Sequence, residues 1–247
     1  MKITFLGTSH GVPAKDRFCS CTMIESGDVY YLIDAGAPAV DLLLRNDKKI
    51  EDLRAVFTTH AHTDHTVGLI HLANLMEWYY TKSSADFYIT NEPQIKAYEA
   101  VMSASGDCRE YKFSDRVRFH VTDINAPYED ENIKLTYFAT KHMGNMPSYS
   151  ILVEEKATGK RVFFSGDFNG SLCDVPSVLA SEDYDIFVCE MAHFSPAALK
   201  PYLDTCKSKN VYFTHVFPLN KYDEIEKFKD VYSFGIFTPA DGDSVEV

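Results

Sequence analysis

The chain has 247 residues, a formal net charge of −12 and a sequence pI of about 5.1. Because phosphate contacts supply most of the non-specific affinity of nucleic-acid-binding proteins, this acidic balance argues against a long polyanionic substrate. With 45% hydrophobic and 24% charged residues, the composition is that of a globular protein, and no apolar run approaches the roughly 20 residues of a membrane span. We therefore expect one folded domain over residues 1–247, with no membrane partner.

The predicted elements are short strands and amphipathic helices. In chain order, the predicted strands are Lys2–Leu6, Val29–Ile33, Ala55–Thr58, Phe87–Ile89, Val117–Val121, Ile133–Phe138, Tyr149–Val153, Val162–Phe164, Ile186–Val188 and Val211–Phe213. The predicted helices are Ala39–Arg45, Val67–Tyr80, Gln94–Met102 and Pro196–Cys206. The strands cluster between helices instead of alternating with them one to one. This pattern favours two mixed sheets packed face to face, with helices on the outer faces, over a doubly wound parallel sheet.

The cysteines and the N-terminus bear on the cellular compartment. The six cysteines are scattered along the chain: Cys19, Cys21, Cys108, Cys173, Cys189 and Cys206. In a chain of this length, scattered cysteines indicate reduced thiols and not a disulfide framework. The segment Met1–Gly7 is typical of a strand and turn and lacks the layout of a signal peptide. We therefore predict a cytoplasmic protein.

The stretch Phe57–His65 holds most of the residues that suit metal chemistry. It follows an apolar strand and precedes an amphipathic helix, and it contains three imidazoles and one carboxylate within six residues. His60 and His62 are two apart, so they can point to one side of an extended segment. Asp64 and His65 lie where the chain turns, so they can face a second point nearby. This arrangement favours two neighbouring metal ions over one.

Three further residues of ligand type lie just beyond predicted strands: His142, Asp167 and His215. Functional sites in sheet proteins gather beyond strand ends, so these residues are expected to converge on one edge. A single histidine after a strand is ordinarily a capped or solvated residue. Here, however, six of the nine histidines lie in the cluster or at strand ends. The other three are His10, His71 and His120, and we expect ordinary roles for them.

The segment His60–His65 resembles the HxHxDH signature of the metallo-β-lactamase superfamily. Asp34, His142, Asp167 and His215 follow that family's later elements in the same order. The resemblance implies an αββα sandwich and two metal ions. One ion would take His60, His62 and His142; the other would take Asp64, His65 and His215. Asp167 would bridge the two ions, and Asp34 would accept a hydrogen bond beneath them. The ligand set contains no cysteine, which argues against the single-zinc or cysteine-containing β-lactamase arrangement.

Imidazole and carboxylate ligands suit Zn²⁺, and also Mn²⁺ or Fe²⁺. Two ions about 3.5–4 Å apart can share a water, lower its pKa and hold the group that is attacked. We therefore expect a zinc-dependent hydrolase with two Zn²⁺ ions as cofactors.

Three segments resemble ribonuclease Z and its relatives: Phe5–Pro13, His142–Ile151 and Val188–Ser195. By that resemblance, His193 is a histidine near the leaving group that binds no metal. The predicted catalytic residues are Asp64, Glu190 and His193. A homodimer is expected by analogy, because relatives in this branch are often dimers.

Ribonuclease Z also carries a long basic arm that grips tRNA, whereas here only a short segment joins His142 to Asp167. We therefore predict a phosphodiesterase without the arm, acting on a small or cyclic phosphodiester or nucleotide. Hydroxide held by the metals would attack, His193 would be the general acid, and tRNA is not expected as a partner. The alternatives are a carboxyl-centre hydrolase (a lactonase, thioesterase or β-lactamase), a ribonuclease Z-type tRNA 3′ endonuclease, and a non-catalytic metal-binding sensor.

Overall fold

The structure is a computed structural model that describes residues 1–106 and 109–247; Cys108 lies outside the described residues. The strands of the described part are β1 (Lys2–Gly7), β2 (Cys21–Ser26), β3 (Val29–Ile33), β4 (Leu53–Phe57), β5 (Ala85–Ile89), β6 (Val117–Val121), β7 (Tyr128–Glu129), β8 (Ile133–Ala139), β9 (Tyr149–Glu155), β10 (Arg161–Phe164), β11 (Asp183–Met191), β12 (Lys207–Val216), β13 (Gly235–Phe237) and β14 (Ser244–Glu246). The α-helices are α1 (Ala39–Arg45), α2 (Thr63–Trp78), α3 (Glu92–Ser105), α4 (Val178–Ser181), α5 (Pro196–Leu203) and α6 (Lys221–Glu226).

The described strands form two seven-stranded mixed sheets. The first has the order β14-β1-β2-β3-β4-β5-β6, and the second has the order β13-β12-β11-β10-β9-β8-β7. In the first sheet, β3 to β6 run parallel to one another, and in the second, β10 to β13 do. The remaining pairs are antiparallel, including β9 with β10 and β2 with β3.

Three hydrophobic cores hold the layers together. The central core lies between the sheets and includes Phe5, Phe57 and Ile151. A second core packs α1 to α3 on the outer face of the first sheet, and a third packs α4 to α6 on the second sheet. Each fully buried large apolar side chain contributes roughly 1.5–3 kcal/mol, so these cores stabilise the packing of the layers. The four-layer αββα arrangement confirms the predicted fold.

Every predicted strand overlaps an observed one, but the bounds of several elements differ from the prediction. The strand β2 and the short strands β7, β13 and β14 were not predicted, nor were the helices α4 and α6. Helix α2 begins at Thr63 and not at Val67; its first turn consists of polar residues, so the apolar pattern does not show it. Helix α5 ends at Leu203, since β12 already begins at Lys207.

The described cysteines are free thiols, and Cys19, Cys21 and Cys189 among them are buried. Within the described residues, no helix is both long and apolar enough to cross a membrane.

Candidate active site

One side of the site is the turn between β4 and α2. The backbone N–H of His65 donates to the His62 carbonyl (3.1 Å), and the Thr66 hydroxyl donates to the same oxygen (2.9 Å). These bonds close the first turn of α2 directly after His62. The buried His60 and the more exposed His62 are thereby placed just before the helix, and Asp64 and His65 lie within its first turn.

The other side comes from separate strand ends of the second sheet. His142 lies in a turn three residues beyond β8, Asp167 follows β10, and His215 lies near the end of β12. Gly166 has φ +56°, and a Cβ there would lie 2.3 Å from the Tyr149 carbonyl oxygen, so only glycine fits before Asp167. His215 itself adopts φ 55°, a strained conformation for a residue with a side chain, and such strain recurs at functional sites.

The seven predicted ligands converge at one place. His60, His62 and His142 form one group of ligand atoms that lie within 4.8 Å of one another, and Asp64, His65 and His215 form another. Asp167 lies between the groups. Its Oδ2 is 3.7 Å from Nε2 of both His60 and His142, 3.6 Å from that of His65 and 3.5 Å from that of His215. Ligand atoms around a tetrahedral ion with bonds of about 2.0–2.1 Å lie roughly 3.4 Å apart, so these groups could hold metal ions.

His65 provides a direct test of that fit. Its Nδ1 is 2.7 Å from Asp34 Oδ2, but its Nε2 is buried without a hydrogen-bond partner. This atom faces carboxylate oxygens of Asp64 (3.5 Å) and Asp167 (3.6 Å). A buried polar atom without a partner is costly, and a metal ion would supply the missing partner. The donor set therefore fits a metal ion.

The charges around the site agree with this reading. Burial lowers the pKa of His60 well below its ordinary value, and it also lowers the pKa of His62, His142 and His215. These rings are therefore held neutral, the form that binds metal. Burial opposes a charge on His65, but Asp167 and Asp34 outweigh it and raise the pKa of His65 well above its usual range. The buried carboxylates thus create a place that favours positive charge.

Further hydrogen bonds fix the rings. Asp34 has φ 59°, and it accepts hydrogen bonds from the Thr59 backbone N–H (2.8 Å) and hydroxyl (2.9 Å) as well as contacting His65. Ser20 Oγ lies 2.9 Å from His215 Nδ1, and Thr59 Oγ1 lies 3.1 Å from His60 Nδ1. Such partners set the ring orientation of metal-binding histidines. Asp34 therefore lies where the resemblance placed it.

Glu190 and His193 form a pair beside the ligand groups. Glu190 is buried, and its two carboxylate oxygens lie 3.0 and 3.1 Å from His193 Nδ1. The His193 ring lies 4.5 Å from that of His142, and its Nδ1 is 3.8 Å from Asp167 Oδ2. Burial opposes a charge on His193, but the hydrogen bond and charge of Glu190 outweigh it and raise the pKa of His193. Because Nδ1 is bound to Glu190, Nε2 is the ring nitrogen that can donate a proton to another group.

A cleft of about 270 Å³ opens onto these groups. His62, Asp64, Asp167, His193 and His215 contribute to its wall, together with His10, Gly11, Val12, Ala192 and Phe217. His10 was expected to be ordinary, yet its ring lies 4.0 Å from that of Phe217 at the cleft lip. The sequence signal for this position was that His10 lies within Phe5–Pro13, a segment that resembles ribonuclease Z. By contrast, His71 is exposed on α2, and His120 contacts Asp86 (2.7 Å) on the neighbouring strand.

Comparison with known proteins places this geometry in context. The model of the family described as Anti-Pycsar protein Apyc1 matches residues 1–215. The ribonuclease Z of Crocosphaera subtropica is 32% identical over 158 residues, which are 63% of this chain and 48% of that protein. The chain thus spans about half the length of the curated relatives it matches.

Two solved structures are similar over the whole chain. The metallo-β-lactamase fold protein YhfI from Bacillus subtilis has a TM-score of 0.80 at 18% identity, with 100% of this chain and 99% of that chain covered. The short form of human tRNase Z has a TM-score of 0.75 at 18% identity, with the same coverage. These likenesses show the metallo-β-lactamase fold. Together with the sequence match, they confirm the predicted resemblance to the ribonuclease Z-like branch of that superfamily.

Proposed function

The chain belongs to the Anti-Pycsar protein Apyc1 family, and from that premise we propose that it is a metal-dependent phosphodiesterase acting on a small or cyclic phosphodiester or nucleotide. The observation that carries this proposal is the pairing of His193 with Glu190 beside Asp167. A phosphodiester with a ribose or alkyl leaving group needs a proton on the departing oxygen. A histidine with a raised pKa, held at the edge of the ligand groups, suits that task.

The metal ions would be held by both sides of the site. His60, His62 and His142 would hold one ion, Asp64, His65 and His215 would hold the other, and Asp167 would lie between them. When bound, two Zn²⁺ ions supply a water of lowered pKa and positive charge opposite the phosphate. Mn²⁺ or Fe²⁺ would satisfy the same nitrogen and oxygen ligands.

The chain's own residues orient these groups and move the proton. Asp34 and Ser20 fix the rings of His65 and His215 from beneath. Glu190 accepts the hydrogen bond from His193 Nδ1, so the proton on Nε2 is the one that His193 gives to the leaving oxygen. The same carboxylate stabilises the charged imidazole until that transfer occurs. Asp64 reaches the ligand groups from the first turn of α2, within the cleft.

The cleft supports a small substrate. Its volume of about 270 Å³ is just below the roughly 300–1,000 Å³ typical of small-molecule pockets. None of the described residues that line it is a lysine or an arginine. Substrate phosphate would therefore meet bound metal and His193, and an extended polyanion would find few other positive contacts at this cleft.

A substrate panel on zinc-reconstituted protein tests the proposal. We expect turnover of 2′,3′- or 3′,5′-cyclic nucleotides and of nitrophenyl diesters, and little turnover of lactams, lactones and thioesters. His193→Ala should lower kcat on an alkyl or nucleoside diester by about 10²–10⁴-fold. Its effect on a nitrophenyl diester should be far smaller, because nitrophenolate leaves without a proton. The exposed His71→Ala is the matched control and should leave both rates unchanged.

Three results would contradict the proposal. Faster turnover of lactones, thioesters or lactams than of any diester would favour the carboxyl-centre hydrolase. Equal losses of His193→Ala on both diesters would show that His193 is not the general acid. No turnover of any substrate by protein loaded with metal would favour the metal-binding sensor.

A ribonuclease Z-type endonuclease is the second candidate, favoured by the 32% identity to a ribonuclease Z. The net charge of −12 argues against it, because tRNA binding needs phosphate contacts. We expect weak tRNA binding that falls steeply with salt. Tight, salt-resistant binding with clean cleavage at the 3′ end would make this candidate the better one. A homodimer stays a prediction, which sedimentation would test.

A further inference from the structure

Lys221 is a buried lysine that contacts the loop carrying His193. It is the first residue of α6, and its side chain is enclosed although lysine is rarely buried. Its Nζ donates to the carbonyl oxygens of Met191 (3.0 Å), Ala192 (2.9 Å) and Phe194 (2.6 Å). An ammonium has three N–H donors and no acceptor, so these three carbonyls use its full hydrogen-bonding capacity.

The N–H groups of the same loop are held by Glu190. Its Oε2 accepts from the backbone N–H groups of Ala192 (2.7 Å) and His193 (3.2 Å), while Oε1 accepts from that of Phe168 (2.9 Å). In the segment between the end of β11 and the start of α5, two N–H groups are thus bound to an anion and two carbonyls are bound to a cation. Charge-assisted hydrogen bonds are shorter and stronger than neutral ones, so this loop is fixed from both directions.

The backbone of that loop and the Glu190 carboxylate together place the side chain of His193. It is about one-third exposed, and its ring is anchored only through Nδ1 to Glu190 among its hydrogen bonds in the described residues. A shift of the backbone at Ala192 or Phe194 would move the ring relative to Asp167. A misplacement of about 1 Å can cost about 10²-fold in rate, so the anchoring of this backbone has a kinetic consequence.

We propose that Lys221 is a positioning residue for His193: its ammonium fixes the carbonyls of the loop so that the imidazole stays beside the ligand groups. The inference rests on the proposed function, because it needs His193 to act on the leaving group. Burial lowers the pKa of Lys221, and the Glu190 carboxylate opposes that effect. The two oppositely charged residues therefore stabilise each other across the loop they hold.

The test is Lys221→Met in the zinc-reconstituted holoenzyme, measured on a nucleoside diester and on a nitrophenyl diester. We expect kcat on the nucleoside diester to fall about 10–100-fold, as for other residues that orient catalytic groups. The loss on the nitrophenyl diester should be far smaller, and KM and metal content should stay unchanged. The ratio of the two rates is decisive, because the fraction of correctly folded enzyme cancels in it.

A double variant separates positioning from general support of the fold. In a His193→Ala background, Lys221→Met should leave the rate ratio unchanged, since no imidazole remains to be placed. A purely structural lysine predicts equal losses on both substrates and the same loss in both backgrounds, and either result would overturn the inference. Equal losses on the two diesters in His193→Ala itself would instead contradict the proposed function.

Conservative variants keep the test decisive if Lys221→Met folds poorly. Lys221→Arg retains the charge, and Lys221→Gln retains two N–H donors. The rate ratio should change least in Lys221→Arg, more in Lys221→Gln and most in Lys221→Met. Failure of both neutral variants to fold would show a structural requirement and overturn the positioning role. Lys229→Met is the matched control, because Lys229 is a partly exposed lysine paired with Glu226, and its ratio should match the wild type.

Discussion

The two sides of the candidate site are built in different ways. The turn side consists of His60, His62, Asp64 and His65, which lie within six consecutive residues at the junction of β4 and α2. The loop side consists of His142, Asp167, His193 and His215, which come from three separate loops of the second sheet and from the end of β12. On the turn side, bonds between near neighbours in sequence close the first turn of α2, and Asp34 is the one more distant support described above. On the loop side, the backbone must be fixed by residues that reach across long stretches of chain.

Three buried or partly buried charged residues provide that fixing. Asp174 joins the backbone beside His142 to the backbone beyond Asp167. Lys221 holds the loop of His193. Asp241 accepts from the backbone N–H (2.9 Å) and hydroxyl (2.7 Å) of Thr8, and the Thr8 carbonyl in turn accepts from the His215 N–H (2.8 Å). Substitutions outside the ligand set are therefore expected to harm the loop side more than the turn side.

Metal removal should have the largest effect, because each ion would join the two sides. We expect about two metal equivalents, since seven ligands exceed the needs of one tetrahedral ion. Chelation should reduce activity to background, and Zn²⁺ should restore it. His62→Ala on the turn side and His215→Ala on the loop side should each leave about one equivalent. Elemental analysis that finds at most one equivalent in the reconstituted wild type would contradict the two-ion site.

Asp167→Ala should damage activity more than Asp34→Ala. Asp167 Oδ2 lies within reach of both ligand groups, whereas Asp34 contacts only His65 among the seven predicted ligands. Loss of a residue that only orients a ligand typically costs about 10–100-fold, which is the range expected for Asp34→Ala. The loss for Asp167→Ala should exceed that range and include loss of metal. Steady-state rates and metal analysis on folded variants would show whether the two changes instead have equal effects.

The sequence allowed the turn side and the layers of the fold to be predicted. The ligands of the turn side are adjacent in sequence, so their spacing alone indicates a shared site. The predicted strands are apolar runs long enough to show a pattern, and all of them overlap observed strands, but β2, which has six residues and lies between β1 and β3, was missed. The strands β7, β13 and β14 have only two or three residues, too few to show a period, and they exist because a neighbouring strand pairs with them.

The supports of the loop side could not be predicted, because they depend on contacts between distant residues. Lys221 at a helix start is typical of a solvated residue, and only the packing of α6 against the loop after β11 buries it. Asp174 is 33 residues from the backbone N–H of Lys141 that it binds, and Asp241 is 233 residues from Thr8. The contact of His10 with Phe217 could not be predicted for the same reason, since the two residues are far apart in sequence.

Asp174→Asn should have a moderate effect that is confined to the loop side. Asp174 is buried, and its Oδ2 accepts from the backbone N–H groups of Lys141 (2.6 Å) and Asn169 (2.9 Å). An amide oxygen in the place of Oδ2 would accept these bonds without a negative charge, and its NH₂ group would face the Asn169 N–H, which also lies 3.1 Å from Oδ1. Because Asp174 binds only the backbone next to ligands, we expect about a tenfold loss of activity, at the lower end for residues that orient ligands. Metal should be lost first from the group that contains His142.

Asp204→Asn is the control for this change, because Asp204 is a partly exposed aspartate paired with Lys200. It should leave rate and metal content unchanged. If Asp174→Asn weakened both metal positions equally, or lowered thermal stability without any effect on metal, Asp174 would support the fold in general and not the loop side in particular.

Ser20→Ala should have the smallest effect, and it compares the two sides directly. Both sides hold a buried imidazole from beneath, but with different partners: the Asp34 carboxylate contacts His65 Nδ1 at 2.7 Å, and the Ser20 hydroxyl contacts His215 Nδ1 at 2.9 Å. If His215 Nε2 binds a metal ion, Nδ1 would carry the proton and donate it to Ser20 Oγ. A neutral hydrogen bond contributes about 0.5–1.5 kcal/mol, which corresponds to roughly a two- to tenfold change, and a charged acceptor contributes about twice as much.

We therefore expect Ser20→Ala to weaken metal binding and activity roughly two- to tenfold, less than Asp34→Ala. Ser181→Ala, which removes an exposed hydroxyl at the end of α4, should change neither. Metal titration and steady-state rates for the three variants would establish the order of their losses. A loss in Ser20→Ala equal to that in Asp34→Ala would mean that the orientation of His215, and not the charge beneath His65, limits metal binding and activity.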